Sequence, residues 1–361
     1  VDSFAFIIHP IHPKRDVSRK YPFLGKWLTE RQINFFSTFF PPVYISEIAG
    51  ITSQATGKEI RGWFLACPLT PTRMMELPEK VVYRKIIETG RLAEKLGAQI
   101  LGLGAFTSVV GDAGLTIAQE LDIPVTTGDA YTVSIGVEAL LTAAHRMNIP
   151  LATTSAAVVG ATGAIGQVCA KKLATHVPEL YLIGRRESAL QNLRDQIQSI
   201  TGSSNIYIST DVNDIKKAKL ILTVTSAIET IIHPEQLQSG SIICDVARPR
   251  DVSARVAAVR DDVLVIDGGM VDVPGPVNFH FDFGFPPGKA YACMAETMAL
   301  TLEGRFEDYT LGKDLRPEQV NEIETIANKH GFRLSGFRSF EKAVTDEEIA
   351  RIRARVRQYA H

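Results

Sequence analysis

Residues 158–166 read Val-Val-Gly-Ala-Thr-Gly-Ala-Ile-Gly and stand between a short apolar run and a helix-like stretch. Three glycines in that context leave few folds open. Gly160 permits a tight turn from strand into helix. Gly163 lets a backbone approach a pyrophosphate, and Gly166 lets the helix lie close to the strand. The helix start then offers N–H groups and a partial positive charge to an anion. The candidate phosphate cradle therefore runs from Gly160 through Ala161, Thr162, Gly163, Ala164 and Ile165 to Gly166. A glycine-rich turn without a ligand is the plain alternative.

The surrounding segments repeat the same period. "ELYLIGRRESALQNLRDQIQSI" is strand, turn and helix, and "NIYIS", "AKLILTVTS", "SIICDVA" and "VLVIDGG" supply four more strands. Alternation of this kind implies a parallel sheet flanked by helices. The expected organisation is an N-terminal α/β substrate domain over 1–150, a central Rossmann-like NADP-binding domain over 151–288 and a C-terminal helical segment over 289–361. Strands are expected at 4–8, 43–50, 59–67, 99–106 and 123–128. Helices are expected at 78–97, 131–147, 289–303, 317–330 and 345–358.

The strand after the glycine turn bears on the cofactor. An NAD site expects an acidic residue there for the ribose hydroxyls. Here the strand ends in Arg185 and Arg186. Guanidinium groups suit a 2'-phosphate, so NADPH is the expected cofactor. The GxxGxxG spacing is a variant common in NADP-binding domains. Thr225 and Ser226 follow a later strand and are placed near the nicotinamide ribose. Gly268 and Gly269 follow the last strand and let backbone approach the nicotinamide.

A hydride needs an acceptor. No tyrosine is followed four residues on by lysine, and no HExxH or other metal motif occurs, so no metal is expected. Attention falls on "PPGKAYACMAETMAL" (286–300), where Cys293 stands near an expected helix start among small alanines. A packed, inert cysteine is the plain reading. The alternative is a thiolate stabilised by the helix dipole and by Lys289 one turn earlier. A thiolate and a nicotinamide together equip a protein for thioester reduction. Ser108 is a candidate oxyanion donor or a turn cap. Thr127 and Asp129 are candidate catalytic groups, and Asp129 is equally suited to an N-cap. His9 and His12 read as structural.

The stretches "LGLGAFTSVV", "TTGDAYT", "VVGATGAIG", "VIDGGMV" and "YACMAETMALTLE" occur in an order and spacing that resemble the cyanobacterial long-chain fatty acyl-[acyl carrier protein] reductases. The resemblance implies NADPH, a covalent acyl intermediate on Cys293 and release of a fatty aldehyde. It also implies an acyl carrier protein or CoA thioester as substrate and an aldehyde-consuming enzyme as partner. The chain departs from that family at Asp129 and Tyr131, where the family has Asn and His, in the loop 272–288 and over the first 40 residues. The rival readings are a shikimate- or amino-acid-dehydrogenase-like enzyme with direct hydride transfer, and a non-catalytic NADP-binding protein.

The totals agree with a globular enzyme. The 361 residues carry a net charge of -1, so no overall field favours nucleic acid. Four cysteines at unrelated spacings suit a reducing cytoplasm. No run is long and apolar enough to span a membrane, and peripheral membrane contact stays open. The aromatic run "NFFSTFFPP" reads as core, with an acyl tunnel as the alternative. Six cations between Lys14 and Arg31 read as a solvated face, with docking of an acidic carrier as the alternative.

Overall fold

The computed structural model describes residues 1–202 and 205–359. The chain is α/β and divides into two compact units. One comprises Val1–Tyr131 and Val271–Arg333, the other Thr132–Met270 and Leu334–His361, whose last two residues lie outside those described. A linear division at 150 and 288 follows the chain; the compact units do not. The segment after Gly288 forms no unit of its own. Residues up to Arg333 pack with the N-terminal part, and the rest joins the central part.

In the first unit, strands β1 (Ser3–Ile8), β2 (Val43–Thr52), β3 (Glu59–Ala66), β4 (Leu101–Leu103) and β5 (Val125–Thr126) form one sheet in the order β2-β3-β1-β4-β5. β3, β1, β4 and β5 run parallel; β2 is an antiparallel edge with two irregularities of register. Parallel strands need both faces covered, so they read as nearly continuous apolar runs. One face packs on the Glu79–Leu96 helix, with Ala5, Ile7, Leu65, Val82, Ile86 and Leu101 in a common core. Gly62 is the cross-strand partner of Phe4, and a Cβ there would fall 2.3 Å from the Phe4 ring. The Ala292–Glu303 helix is buried nearly throughout. Lys58 donates to the carbonyls of Thr301 and Leu302 at its C-terminal end, where a cation opposes the helix dipole.

The second unit holds β6 (Ser155–Val159), β7 (Glu179–Ile183), β8 (Ile206–Ser209), β9 (Leu220–Thr223), β10 (Ile242–Asp245) and β11 (Leu264–Asp267) in the order β11-β10-β9-β6-β7-β8. Every pair is parallel. Counted within the unit this is the 6-5-4-1-2-3 order of a doubly wound nucleotide-binding sheet, with its switch point between β6 and β9. Helices Ala164–Leu173 and Glu187–Thr201 follow β6 and β7. Among the described residues no helix is long and apolar enough to cross a membrane.

Several expected elements are shorter than their apolar runs. The 99–106 strand keeps only Leu101–Leu103, because Ala105 takes φ 49° and Phe106–Val109 coils into one helical turn. The 123–128 strand keeps Val125–Thr126, since Gly128 at φ 78° turns the chain into the Asp129–Arg146 helix. The expected 289–303 helix begins only at Ala292, and Lys289–Tyr291 is extended. Helices over Pro13–Lys20, Pro22–Trp27 and Glu30–Ser37 have short, weakly periodic sequences and were not expected. Gly62→Ala should cost about 1–3 kcal/mol by overpacking. Phe4→Leu in the same chain should return part of that loss, read as non-additivity of chemical-denaturation midpoints. Additive losses would mean the ring does not set the limit at Gly62.

Candidate active site

The carboxyl ends of β4 and β5, with the start of the Ala292–Glu303 helix, gather the first unit's chemical groups. Cys293 is the helix's second residue and is half-buried. A Cβ on Gly128 would lie 2.4 Å from the Cys293 Cα and 2.3 Å from its Cβ. Only glycine serves there, on both distance and φ. Glu296, one turn further, is fully buried. Its Oε1 accepts from Thr126 Oγ1 at 2.5 Å and Thr310 Oγ1 at 3.0 Å, and its Oε2 accepts from the Tyr131 N–H at 2.8 Å. Thr127 Oγ1 donates to Thr310 at 2.8–2.9 Å.

The electrostatics reverse the expectation for the thiol. Burial, then the charges of Glu296 and Asp129, push Cys293 up to about 12. A helix start with two carboxyl groups beside it is not a cationic environment. Lys289 supplies no compensation, because it lies in the extended Lys289–Tyr291 segment and forms an ion pair with Asp272 at 2.5 Å. Burial, then the Glu296 charge, holds Asp129 well above the carboxylate range. Burial raises Glu296 as well, against the pull of Thr126, Tyr131 and Thr310. Two buried carboxyl groups in each other's field each make ionisation of the other harder. Glu296 has hydrogen-bond donors on both oxygens that favour its charged form, whereas Asp129 has the Thr127 side chain alone among the causes that lower it.

Ser108 is buried in the helical turn after β4, and its hydroxyl donates to the Ala105 carbonyl at 2.7 Å. Thr127 and Asp129 flank Gly128, so they stand beside the residue that meets Cys293. His9, at the end of β1, accepts the Phe106 N–H on Nε2 at 3.0 Å. Burial lowers His9 to about 4, leaving a neutral imidazole whose Nδ1 has no partner among the described residues.

In the second unit the glycine turn joins β6 to the Ala164–Leu173 helix. Gly160 has φ 81°, and a Cβ there would fall 2.4 Å from the Val224 carbonyl. A Cβ on Gly166 would fall 2.1 Å from the Gly160 carbonyl. A Cβ on Gly163 would meet only that carbonyl at 3.4 Å, so its outer side is open to a ligand. Gly163 is also the N-cap of the ten-residue Ala164–Leu173 helix, with Ala161 buried beneath and Thr162, Ala164 and Ile165 half-buried. This arrangement fits a pyrophosphate. Arg185 and Arg186 are exposed after β7, and neither side chain is held in an ion pair among the described residues. Thr225 is held by Asp251, which also accepts from Thr223 Oγ1 at 2.5 Å; Ser226 beside it is exposed. Gly268 leaves room for Val246 and Cys244, and Gly269 has φ 85°.

Glu296, Gly128, Thr126 and Thr310 escaped the sequence reading. Glu296 had a signal: it is the only charged residue in an otherwise apolar helix up to Leu302. Asp245, Asp251 and Asp267, clustered with Arg248 and Arg250 at the ends of β10 and β11, were also missed. Burial raises Asp245 to about 7.

The sheet order and the glycine turn make the second unit the nicotinamide-nucleotide-binding unit of an NAD(P)-dependent oxidoreductase. A family model for shikimate / quinate 5-dehydrogenase matches residues 142–267, within that unit. The chain is 27% identical over 346 residues to the long-chain acyl-[acyl-carrier-protein] reductase of Synechococcus elongatus, covering 91% of this chain and 98% of that protein. The motif resemblance thus extends along nearly the whole chain, at the level of a distant homologue. The chain is also 32% identical over 321 residues to aminotransferase PigE of Serratia sp., covering 87% of this chain and 36% of that protein, so it spans about a third of that relative's length. Among solved structures, L-tryptophan dehydrogenase from Nostoc punctiforme superposes with a TM-score of 0.40 at 14% identity, over 99% of this chain and 88% of that one. Quinate dehydrogenase from Corynebacterium glutamicum in complex with NAD gives 0.37 at 13%, over 91% and 99%.

Iodoacetamide should label Cys293 ahead of the buried Cys67, Cys169 and Cys244. Its rate should still climb about tenfold per pH unit between about pH 8 and 10, because the reactive thiolate is scarce below the raised pKa. Peptide mass spectrometry reads this, and a rate already level by about pH 8 would contradict the acidic environment.

Proposed function

We propose that the chain is an NADPH-dependent acyl-thioester reductase that releases an aldehyde. The observation that carries this reading is Cys293: a half-buried thiol in the first turn of a buried helix, with Gly128 against its backbone and two carboxyl groups in its field. An inert cysteine requires neither the glycine contact nor the acids. The whole-length similarity to an acyl-[acyl-carrier-protein] reductase supports the same reading.

The proposed chemistry begins with a neutral thiol. Glu296 takes the thiol proton as the sulfur attacks the acyl carbonyl, and neutral Asp129 donates to the carbonyl oxygen. The carbon–sulfur bond to the carrier breaks, and the carrier thiolate recovers the proton from Glu296. The acyl group then rests on Cys293 as a thioester. The Gly160–Gly166 turn, with Arg185 and Arg186, would hold NADPH, and the bound cofactor would supply the hydride that reduction of an acyl thioester consumes. Cleavage of the Cys293 carbon–sulfur bond would then free the aldehyde, and the sulfur would take up one proton from solvent, the proton that the net reduction consumes. Thr127, tied to Thr310, keeps the Gly128 turn in place, and Ser108 fixes the neighbouring loop. Lys289 has no part in this scheme. The proposed substrate is an acyl carrier protein or CoA thioester, and an aldehyde-consuming enzyme is the natural recipient of the product.

The match of the nucleotide unit to shikimate / quinate 5-dehydrogenase favours one other reading, direct hydride transfer to a small carbonyl compound. Lys58 pairs with Asp2 at 2.7 Å and caps a helix, so it offers little as a proton donor. The two readings part on one variant. Mixed with an acyl-CoA and no NADPH, the chain should gain the mass of one acyl group. Cys293→Ala should lose both adduct and aldehyde while keeping NADPH affinity; turnover retained in that variant would favour direct transfer. Separately, replacing Arg185 and Arg186 by alanine should weaken NADPH at least about tenfold and leave NADH nearly unchanged. Equal losses for both cofactors, read by calorimetry, would remove the 2'-phosphate assignment.

A further inference from the structure

The aromatic run expected in the core is on the surface. Phe23, Trp27, Phe35 and Phe39 are 70%, 69%, 57% and 70% exposed, and Phe36 and Phe40 are exposed beside them. They lie on and just after the helices Pro22–Trp27 and Glu30–Ser37, in ring pairs such as Phe23–Trp27 and Phe35–Phe39. Large exposed apolar patches mark surfaces that something else covers. Charge says what. Residues 13–42 carry six cations and two acids in a chain whose net charge is -1. Asp16 is engaged internally by Arg15 and Arg19, whereas Lys14, Lys26 and Arg31 are exposed with no side-chain partner among the described residues.

The region is anchored to the first unit. Lys20 donates to the Ile45 carbonyl at 2.6 Å, Arg73 to Thr38 Oγ1 at 3.1 Å and Lys85 to the Phe40 carbonyl at 2.9 Å. The rings are therefore held out on a fixed base.

We infer that the three N-terminal helices are a docking surface for an anionic lipid bilayer. Phenylalanine and tryptophan side chains enter the headgroup boundary, and lysine and arginine meet the acidic headgroups. A second copy placed by a two-fold axis would bring the same cations face to face. An acidic protein without an apolar face would satisfy the cations and leave the rings in water. An anionic bilayer meets both features with one surface. The inference does not depend on the catalytic reading.

The test uses the whole chain and extruded phosphatidylcholine vesicles, with or without about 30% phosphatidylglycerol. Binding by co-sedimentation should be at least about tenfold tighter to the anionic vesicles and should fall steeply between about 0.05 and 0.5 M salt. Lys14→Glu with Lys26→Glu and Arg31→Glu should weaken it about tenfold or more. Phe23→Ser with Phe35→Ser and Phe39→Ser should do the same, with an unchanged thermal midpoint showing that the fold survives. In a Trp63→Phe background the emission of Trp27 should shift to the blue on vesicles and resist acrylamide. No binding to anionic vesicles at low salt overturns the proposal, as does bound protein whose Trp27 emission stays unmoved. Self-association abolished by the phenylalanine set would assign the patch to a second copy, and capture of acidic carrier protein that needs the cations but not the rings would assign it to a protein.

Discussion

The carboxylate of Glu296 joins the parts of the first unit that matter to its chemistry. One side chain ties the buried Ala292–Glu303 helix to the end of β5 through Thr126, to the Asp129–Arg146 helix through the Tyr131 N–H, and to the 309–310 loop through Thr310. A buried carboxylate without partners is costly to hold, and these donors, with the Gly128 N–H, meet that cost. Once these bonds form, the register of the helix against Gly128 is fixed, and with it the position of Cys293. The van der Waals contact between Gly128 and Cys293 then admits no side chain larger than hydrogen.

That arrangement keeps the Cys293 thiol protonated near neutral pH. Asp129 and Glu296 have folded-state pKa values above their ordinary ones, so they favour the folded state in their protonated forms. Their contribution is complete below the ordinary carboxylate range and is lost as pH rises through the raised values. The donors to Glu296, and Thr127 beside Asp129, oppose this shift. The site thus sets two carboxyl groups, both raised by burial, in the field of the Cys293 sulfur.

The second unit was the more legible in the sequence, because its order follows from local signals. Each strand is a short apolar run, each turn carries glycine or polar residues, and the glycines at 160, 163 and 166 have steric reasons visible one turn away. The first unit was less legible. Its sheet is completed by a helix almost 190 residues downstream of β5's neighbour β4, and no local pattern announces that pairing. Lys289 shows the same limit: four residues before a cysteine means one turn only if the helix has already begun, and here the chain is still extended. Glu296 was readable as an oddity, but its partners were not, since Thr126 and Thr310 are 170 and 14 residues away. The exposed phenylalanines were misread for a general reason. Composition favours burying such rings, and only the fold reveals that the base beneath them is already full.

The interleaving of the two units bears on how the chain comes into being at the ribosome. The first unit is left unfinished at Tyr131 and resumes at Val271. Its buried helix is complete only at Glu303. About 170 residues separate those points, on the order of 10–30 s of synthesis at ordinary elongation rates. During that interval the second unit's first segment can collapse on its own sheet, while one face of β1, β3 and β4 waits for its cover. The nascent first unit therefore depends on being shielded until its last helix emerges, and the acid pair and the thiol come together only then. Completion of the thiol–acid cluster in such a chain is a late event of assembly.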